Sequence, residues 1–189
     1  MLPISKPHRT HRIFPWSIEL KPWPFYSQLD DWRANLSDEN AANNCGPESV
    51  AMCLKFLTGI ELPANLIKDA IYGQGYVGYT NVPDLEGYLR DYCETPASTI
   101  LTTGAANQAW WEWKYLKEGK PLIGLFWSTM TNGAGQGGHF RAVIGQTPHT
   151  VITADPWTGT RRVETIAEHW AWSKGLLIGI DRKRRLGDA

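Results

Sequence analysis

Residues 43–59 read NNCGPESVAMCLKFLTG. Pro47 suits the first turn of a helix, where its missing N–H is not needed. Val50, Leu54 and Leu57 then recur at i, i+4 and i+7, and Gly59 supplies a stop. The stretch predicts a helix with Cys45 at its N-terminus. A core thiol belongs inside an apolar face, as Cys53 is placed, and not at a helix entrance beside asparagines. A thiol reacts as its thiolate, which the positive end of a helix favours. Cys45 is therefore the candidate nucleophile, and Cys53 reads as core.

Outward from this helix, three more are expected. One runs from Pro63 to about Tyr72, with Leu66, Ile67, Ala70 and Ile71 on its apolar face and Gly73 beyond. The glycine-rich GQGYVGYT is a loop, after which Asn81 caps a third helix reaching Tyr92, just before Cys93. The fourth spans roughly 105–118 and contains AWWEWKYL, with Trp113 and Leu116 facing the core and Trp110 or Trp111 outside. The period then changes. PLIGLFW (121–127), HFRAVIGQ (139–146) and VITADPW (151–157) read as strands, followed by one from Arg161 to Ile166 and a last one at 176–181. Helices first and an antiparallel sheet second make the expected class α+β. Five prolines in residues 1–27 mark that segment as an extended N-terminal arm rather than a packed element. Residues 28–181 form the expected domain, and 182–189 a basic tail.

Composition narrows the function classes. The chain has 189 residues with 19 basic and 19 acidic side chains, so nothing in its overall charge points to nucleic acid. Three cysteines are too few and odd for a disulfide framework, and without a CxxC pair a thiolate zinc site is not expected. The N-terminus carries charge and proline but no apolar core of a secretory signal, and no run is long enough to cross a bilayer. The expectation is a cytoplasmic protein, or one released without a signal peptide as in phage-type lysis. It is expected to be monomeric and to need no metal or organic cofactor.

A nucleophilic thiol needs a base within hydrogen-bond reach. Five histidines are available: His8 and His11 in the arm, His149 in a turn, His169 in a late aromatic stretch, and His139 at the start of an alternating strand. Alternation puts His139 and Arg141 on one strand face, and Thr153 and Asp155 on one face of the next. A five-residue connection would set Arg141 opposite Asp155 and His139 diagonal to it, within reach of an imidazole and a carboxylate leaning together. A slip of one residue would separate them. In that register Asp155 can orient the imidazole and stabilise its cation.

The blocks YSQLDDW, NNCGPESVAMCLKFLTG, GGHFRAVIGQ and ITADPWTG, in this order, resemble the papain-like cysteine peptidases of the bacteriocin leader-processing type, the double-glycine-peptidase-like domains. The resemblance implies Cys45 as nucleophile, His139 as general base and Asp155 as orienting residue, in a cleft between a helix and an antiparallel sheet. It also implies a glutamine upstream of the cysteine in the oxyanion hole. Six residues upstream stands Glu39, whose ionised carboxylate cannot donate, so Gln28 is the better match, with Asn40, Asn43 and Asn44 in reserve. Trp157 and Gly138 are assigned to substrate binding.

The implied activity is cysteine peptidase hydrolysis of peptide or amide bonds. The substrate would be a protein or leader peptide, or the peptide stem of peptidoglycan. The rivals are a non-catalytic peptide- or glycan-binding module on the same fold, and transglutaminase-like acyl transfer. Residues 133–138, GAGQGG, match a dinucleotide-binding fingerprint. That motif must open a helix, and here an alternating strand follows, so nucleotide binding is set aside.

Overall fold

The computed structural model describes residues 10–12, 17–29, 43–93, 95–127 and 137–181. Glu39, Asn40 and residues 182–189 lie outside them, as does most of GAGQGG. The four expected helices are α1 (Cys45–Thr58), α2 (Ala64–Tyr72), α3 (Val82–Asp91) and α4 (Ala105–Leu116). Asn81 caps α3, its Oδ1 accepting from the Asp84 N–H at 3.0 Å. Gly59, just past α1, takes φ +79 and donates its N–H to the Lys55 carbonyl, a left-handed stop that glycine adopts without a Cβ penalty.

The strands are β1 (Thr10–Arg12), β2 (Ile18–Leu20), β3 (Ala97–Leu101), β4 (Leu122–Trp127), β5 (Gly138–Gln146), β6 (Thr150–Asp155), β7 (Thr160–Thr165) and β8 (Ser173–Ile180). They form one antiparallel sheet in which β5 pairs with β2, β4 and β6, while β4 continues through β8 to β3. A fifth helix, α5 (Ile166–Trp172), interrupts the chain between β7 and β8. At seven residues it is too short to declare a helical period. Its start carries a capping box, with the Glu168 N–H donating to Thr165 Oγ1 and the Thr165 N–H to Glu168 Oε2.

The reading of residues 1–27 as an extended arm laid on the domain rather than a packed element is corrected where that segment is described. β2 pairs with β5, and Ile18, Leu20 and Trp23 are buried in the main core. The Trp23 ring lies 5.0 Å from that of Phe56 on α1. The prolines on either side masked a strand of three residues, and burial of its apolar side chains outweighs their extended preference.

The same core holds α1 against the sheet, with Val50, Ala51, Met52, Cys53, Leu54 and Phe56 buried. Trp110 on α4 is exposed and Leu116 fully buried, as their spacing predicts. Among the described residues no helix is long and apolar enough to cross a membrane. The start of α1 is a tight junction. A Cβ on Gly46 would collide with Thr80 Oγ1 and meet Leu85 Cδ1 at 2.9 Å and Phe140 Cδ2 at 3.1 Å. Gly46→Ala is therefore expected to cost about 1–3 kcal/mol in thermal or denaturant unfolding, by forcing apart α1, α3 and β5. A cost below a few tenths would mean that these contacts relax freely.

Candidate active site

Cys45 is the first residue of α1 and is almost fully buried. Asn44 occupies the N-cap, but its side chain makes no capping hydrogen bond. The strand edge opposite supplies the imidazole: His139 Nε2 lies 2.7 Å from Asp155 Oδ1, and the ring also hydrogen-bonds Cys45. With Nε2 engaged by the carboxylate, Nδ1 is the ring nitrogen left to face the sulfur.

The hairpin reaches this geometry by an unexpected route. Near the turn Gln146 pairs with Val151 and Gly145 with Ile152. Beyond a one-residue shift, Val143 pairs with Thr153 and Ala142 with Ala154. The shorter turn alone would have put Asp155 on the opposite face from His139. A bulge at Ile144 restores the parity, so that Arg141 comes opposite Asp155 and their Nε and Oδ2 atoms lie 3.7 Å apart.

Burial works against a charged imidazole, but hydrogen bonds to Asp155 and Cys45 outweigh it and raise His139 to about 9. These partners favour the charged form of the ring. Burial likewise pushes the Asp155 carboxyl up, yet His139, the nearby Arg141 charge and the Trp157 backbone N–H hold it well below the usual carboxylate range. That N–H donates to Oδ1 at 3.0 Å, so the turn after Asp155 helps to aim it.

Gln28 is buried, and its backbone N–H donates to the Pro156 carbonyl at 2.7 Å. The YSQ segment is thereby tied to the turn that follows Asp155, where a Cβ on Gly159 would press on Ser27. Asn43 spends an amide N–H on the Val77 carbonyl, at 2.6 Å, and so anchors the glycine-rich loop beside the start of α1. Trp157 is half-buried. Gly138 pairs with Trp127, an exposed indole with the Lys174 ammonium 4.0 Å from its centroid. His149 stands apart in the β5–β6 turn.

Behind Asp155 lies a polar cluster that the sequence reading did not identify. Arg162 Nη1 donates to Asp155 Oδ2 at 3.1 Å, and its Nη2 to Glu164 Oε1 at 3.0 Å. Arg141 Nη1 donates to both oxygens of Glu164, at 3.1 and 3.0 Å. His169 Nδ1 is 3.4 Å from Glu164 and its Nε2 is 2.8 Å from Glu112, which also accepts from Gln108 at 2.8 Å. Alternation along TRRVET places Arg162 and Glu164 on one face of β7, which was the available signal. The contribution of α4 had none, because Glu112 is 57 residues from His169 in the chain.

A cysteine at a helix N-terminus, packed against an antiparallel sheet that presents a histidine and an aspartate, is the arrangement of the papain-like cysteine peptidase fold. Solved structures agree. The peptidase domain of Streptococcus ComA, a bifunctional ABC transporter involved in a quorum-sensing pathway, superposes with TM-score 0.61 at 14% identity, over 84% of this chain and 98% of that one. A double glycine motif protease from an AMS/PCAT transporter, solved with its leader peptide, gives 0.51 at 16% identity over 74% and 84%. The Carica candamarcensis cysteine protease CMS1MS2, in complex with E-64, gives 0.57 at 12% identity over 90% and 100%. The chain belongs to the Peptidase_C39 like family, whose family model matches residues 21–176. No curated protein sequence matches it significantly.

Proposed function

We propose that the chain is a cysteine peptidase in which Cys45 is the nucleophile, His139 the general acid–base and Asp155 the residue that orients it. The observation that carries this reading is the 2.7 Å contact of His139 Nε2 with Asp155, made while the same ring hydrogen-bonds Cys45. The sulfur attacks the substrate carbonyl carbon, and a tetrahedral oxyanion forms. His139 delivers its proton to the departing amine, leaving a thioester on Cys45. Water then adds to the thioester as His139 takes up its proton, and the acid product leaves with the thiolate restored.

The oxyanion is held by the Cys45 backbone N–H and the Gln28 side chain. The position of Gln28 against Pro156, on the turn that aims Asp155, supports its role. Gln28→Ala is expected to lower kcat by about 10²–10³, with KM changed much less. A drop below threefold would remove Gln28 from the reaction.

The substrate is an extended peptide lying between the Asn43-anchored loop, where Val77 and Tyr79 are exposed, and the sheet edge carrying Gly138, Trp127 and Trp157. Support comes from the family and from the leader peptide that a relative of the same fold binds. Cleavage of unstructured protein or leader peptides, lost in Cys45→Ala, is the expected result. Clearing of purified cell walls without cleavage of free peptides would move the substrate to the peptidoglycan stem. Amine incorporation in place of hydrolysis would make the enzyme an acyl transferase.

A further inference from the structure

Asp155 is held from two sides. Its Oδ1 faces His139 and the Trp157 N–H, while Oδ2 faces, among the described residues, the guanidinium groups of Arg162 at 3.1 Å and Arg141 at 3.7 Å. Those two cations share one carboxylate, Glu164, which both touch at 3.0 Å. Glu164 in turn rests on His169, and His169 on Glu112, so the chain of contacts runs from the cleft through β7 and α5 to α4. Glu112 and His169 are almost wholly buried, and Arg141 nearly so. Three carboxylates thus face two guanidinium groups and two imidazoles, His139 at the cleft end and His169 at the α4 end. Buried charges of this kind are strongly coupled, because little water screens them.

We propose that Arg162 and Glu164, backed by Arg141 and the His169–Glu112 pair, are positioning residues that aim Asp155 at His139 and set the charge that the His139 ring carries. The inference rests on the peptidase reading for its catalytic meaning, but the coupling exists whatever the substrate. The signs are opposed. Arg162 competes with His139 for Asp155, so it limits the stabilisation of the imidazolium. Glu164 absorbs the two guanidinium charges and so preserves it. Among the described residues, the other charged or titratable groups that bear on this cluster are Cys45 from α1, Arg141 from β5, Glu168 and His169 from α5 and Glu112 from α4. Lys68 on α2 adds a charge that interacts with Cys45.

The test compares Glu164→Gln with Arg162→Gln in the full chain. The first readout is the NMR titration of the His139 ring in ¹³C-histidine-labelled protein, assigned with His139→Gln. The second is the alkaline limb of kcat/KM. The midpoint is expected to fall by about one pH unit in Glu164→Gln and to rise by a similar amount in Arg162→Gln, with the kinetic limb following each. Displacement of both variants in the same direction, or of neither by more than a few tenths, overturns the proposal whatever happens to activity or melting temperature. If Glu164→Gln does not fold, Glu164→Asp and Arg162→Lys are added. These keep the charges and serve as controls, and Arg162→Gln then carries the test alone: a rise of about one pH unit supports the proposal and a shift below a few tenths overturns it. If the wild-type chain cleaves no peptide bond, the peptidase reading fails while the NMR titration still decides the coupling.

Discussion

Cys45→Ala is expected to lower peptide hydrolysis by about six orders of magnitude, to the limit of detection, while leaving the melting temperature nearly unchanged. The loss is large because the sulfur makes the bond to the substrate, and no neighbouring group can replace it. Stability is largely spared because only one atom, the sulfur, is removed and the rest of α1 keeps its packing. The same site predicts selective alkylation. Cys53 is fully buried and burial pushes its thiol far up; burial raises Cys93 as well. Iodoacetamide should therefore modify Cys45 first, and His139→Ala should slow that reaction by removing the cation beside it. Equal, slow labelling of all three cysteines would exclude an activated Cys45 and favour a binding module on this fold.

His169→Ala carries the second large effect, this time on stability. The substitution leaves the buried Glu112 carboxylate with Gln108 but without its cation, while Glu164 keeps Arg141 and Arg162. Breaking a buried pair by removing one partner costs roughly 3–5 kcal/mol, which for a chain of this length lowers the melting temperature by roughly 10 °C. The pH dependence fixes the cause. Burial disfavours the His169 cation, but Glu112 and Glu164 overcome it and raise the ring to about 9 from 6.5. A group raised on folding contributes fully below its unfolded value and loses that contribution as pH rises through the folded one. Wild-type stability should decline between about pH 6.5 and 9, a window in which His139 contributes as well, and His169→Ala should remove the His169 share of that decline. On the acid side Glu164 behaves oppositely. Burial pushes it up, but His169 and the arginines bring it down to about 2, so its contribution is present above 4.5 and lost as pH falls towards 2. Melting curves from pH 6 to pH 9.5 on both proteins test the claim. A variant within 1 kcal/mol of wild type would mean that water reaches the cluster.

Much of this architecture is written locally. The apolar spacing of Val50, Leu54 and Leu57 with its Gly59 stop, the Asn81 cap and the alternation of HFRAVIGQ each carry their own physical signature within about ten residues. β2 and α5 were missed for the converse reason. Three and seven residues are too few for a period to emerge, and what makes them regular is the sheet edge or core they meet. The GAGQGG glycines illustrate the same limit from the other side: the motif fits, and only the strand that follows it denies the helix.

The candidate site divides along that line. Sequence alone was enough to single out Cys45 as a thiol at a helix start, because helix geometry is local, and to offer His139 and Asp155 as same-face partners in one hairpin register. Whether they met was a tertiary matter. The turn closed one residue shorter than expected, and the bulge at Ile144 returned Asp155 to the face of His139. Only the folded chain could bring Glu112 to His169, or set Gln28 on the turn after Asp155. The physical reason is the range of the forces. Backbone propensity acts over a turn or a strand, whereas burial and charge act across whatever the fold brings into contact.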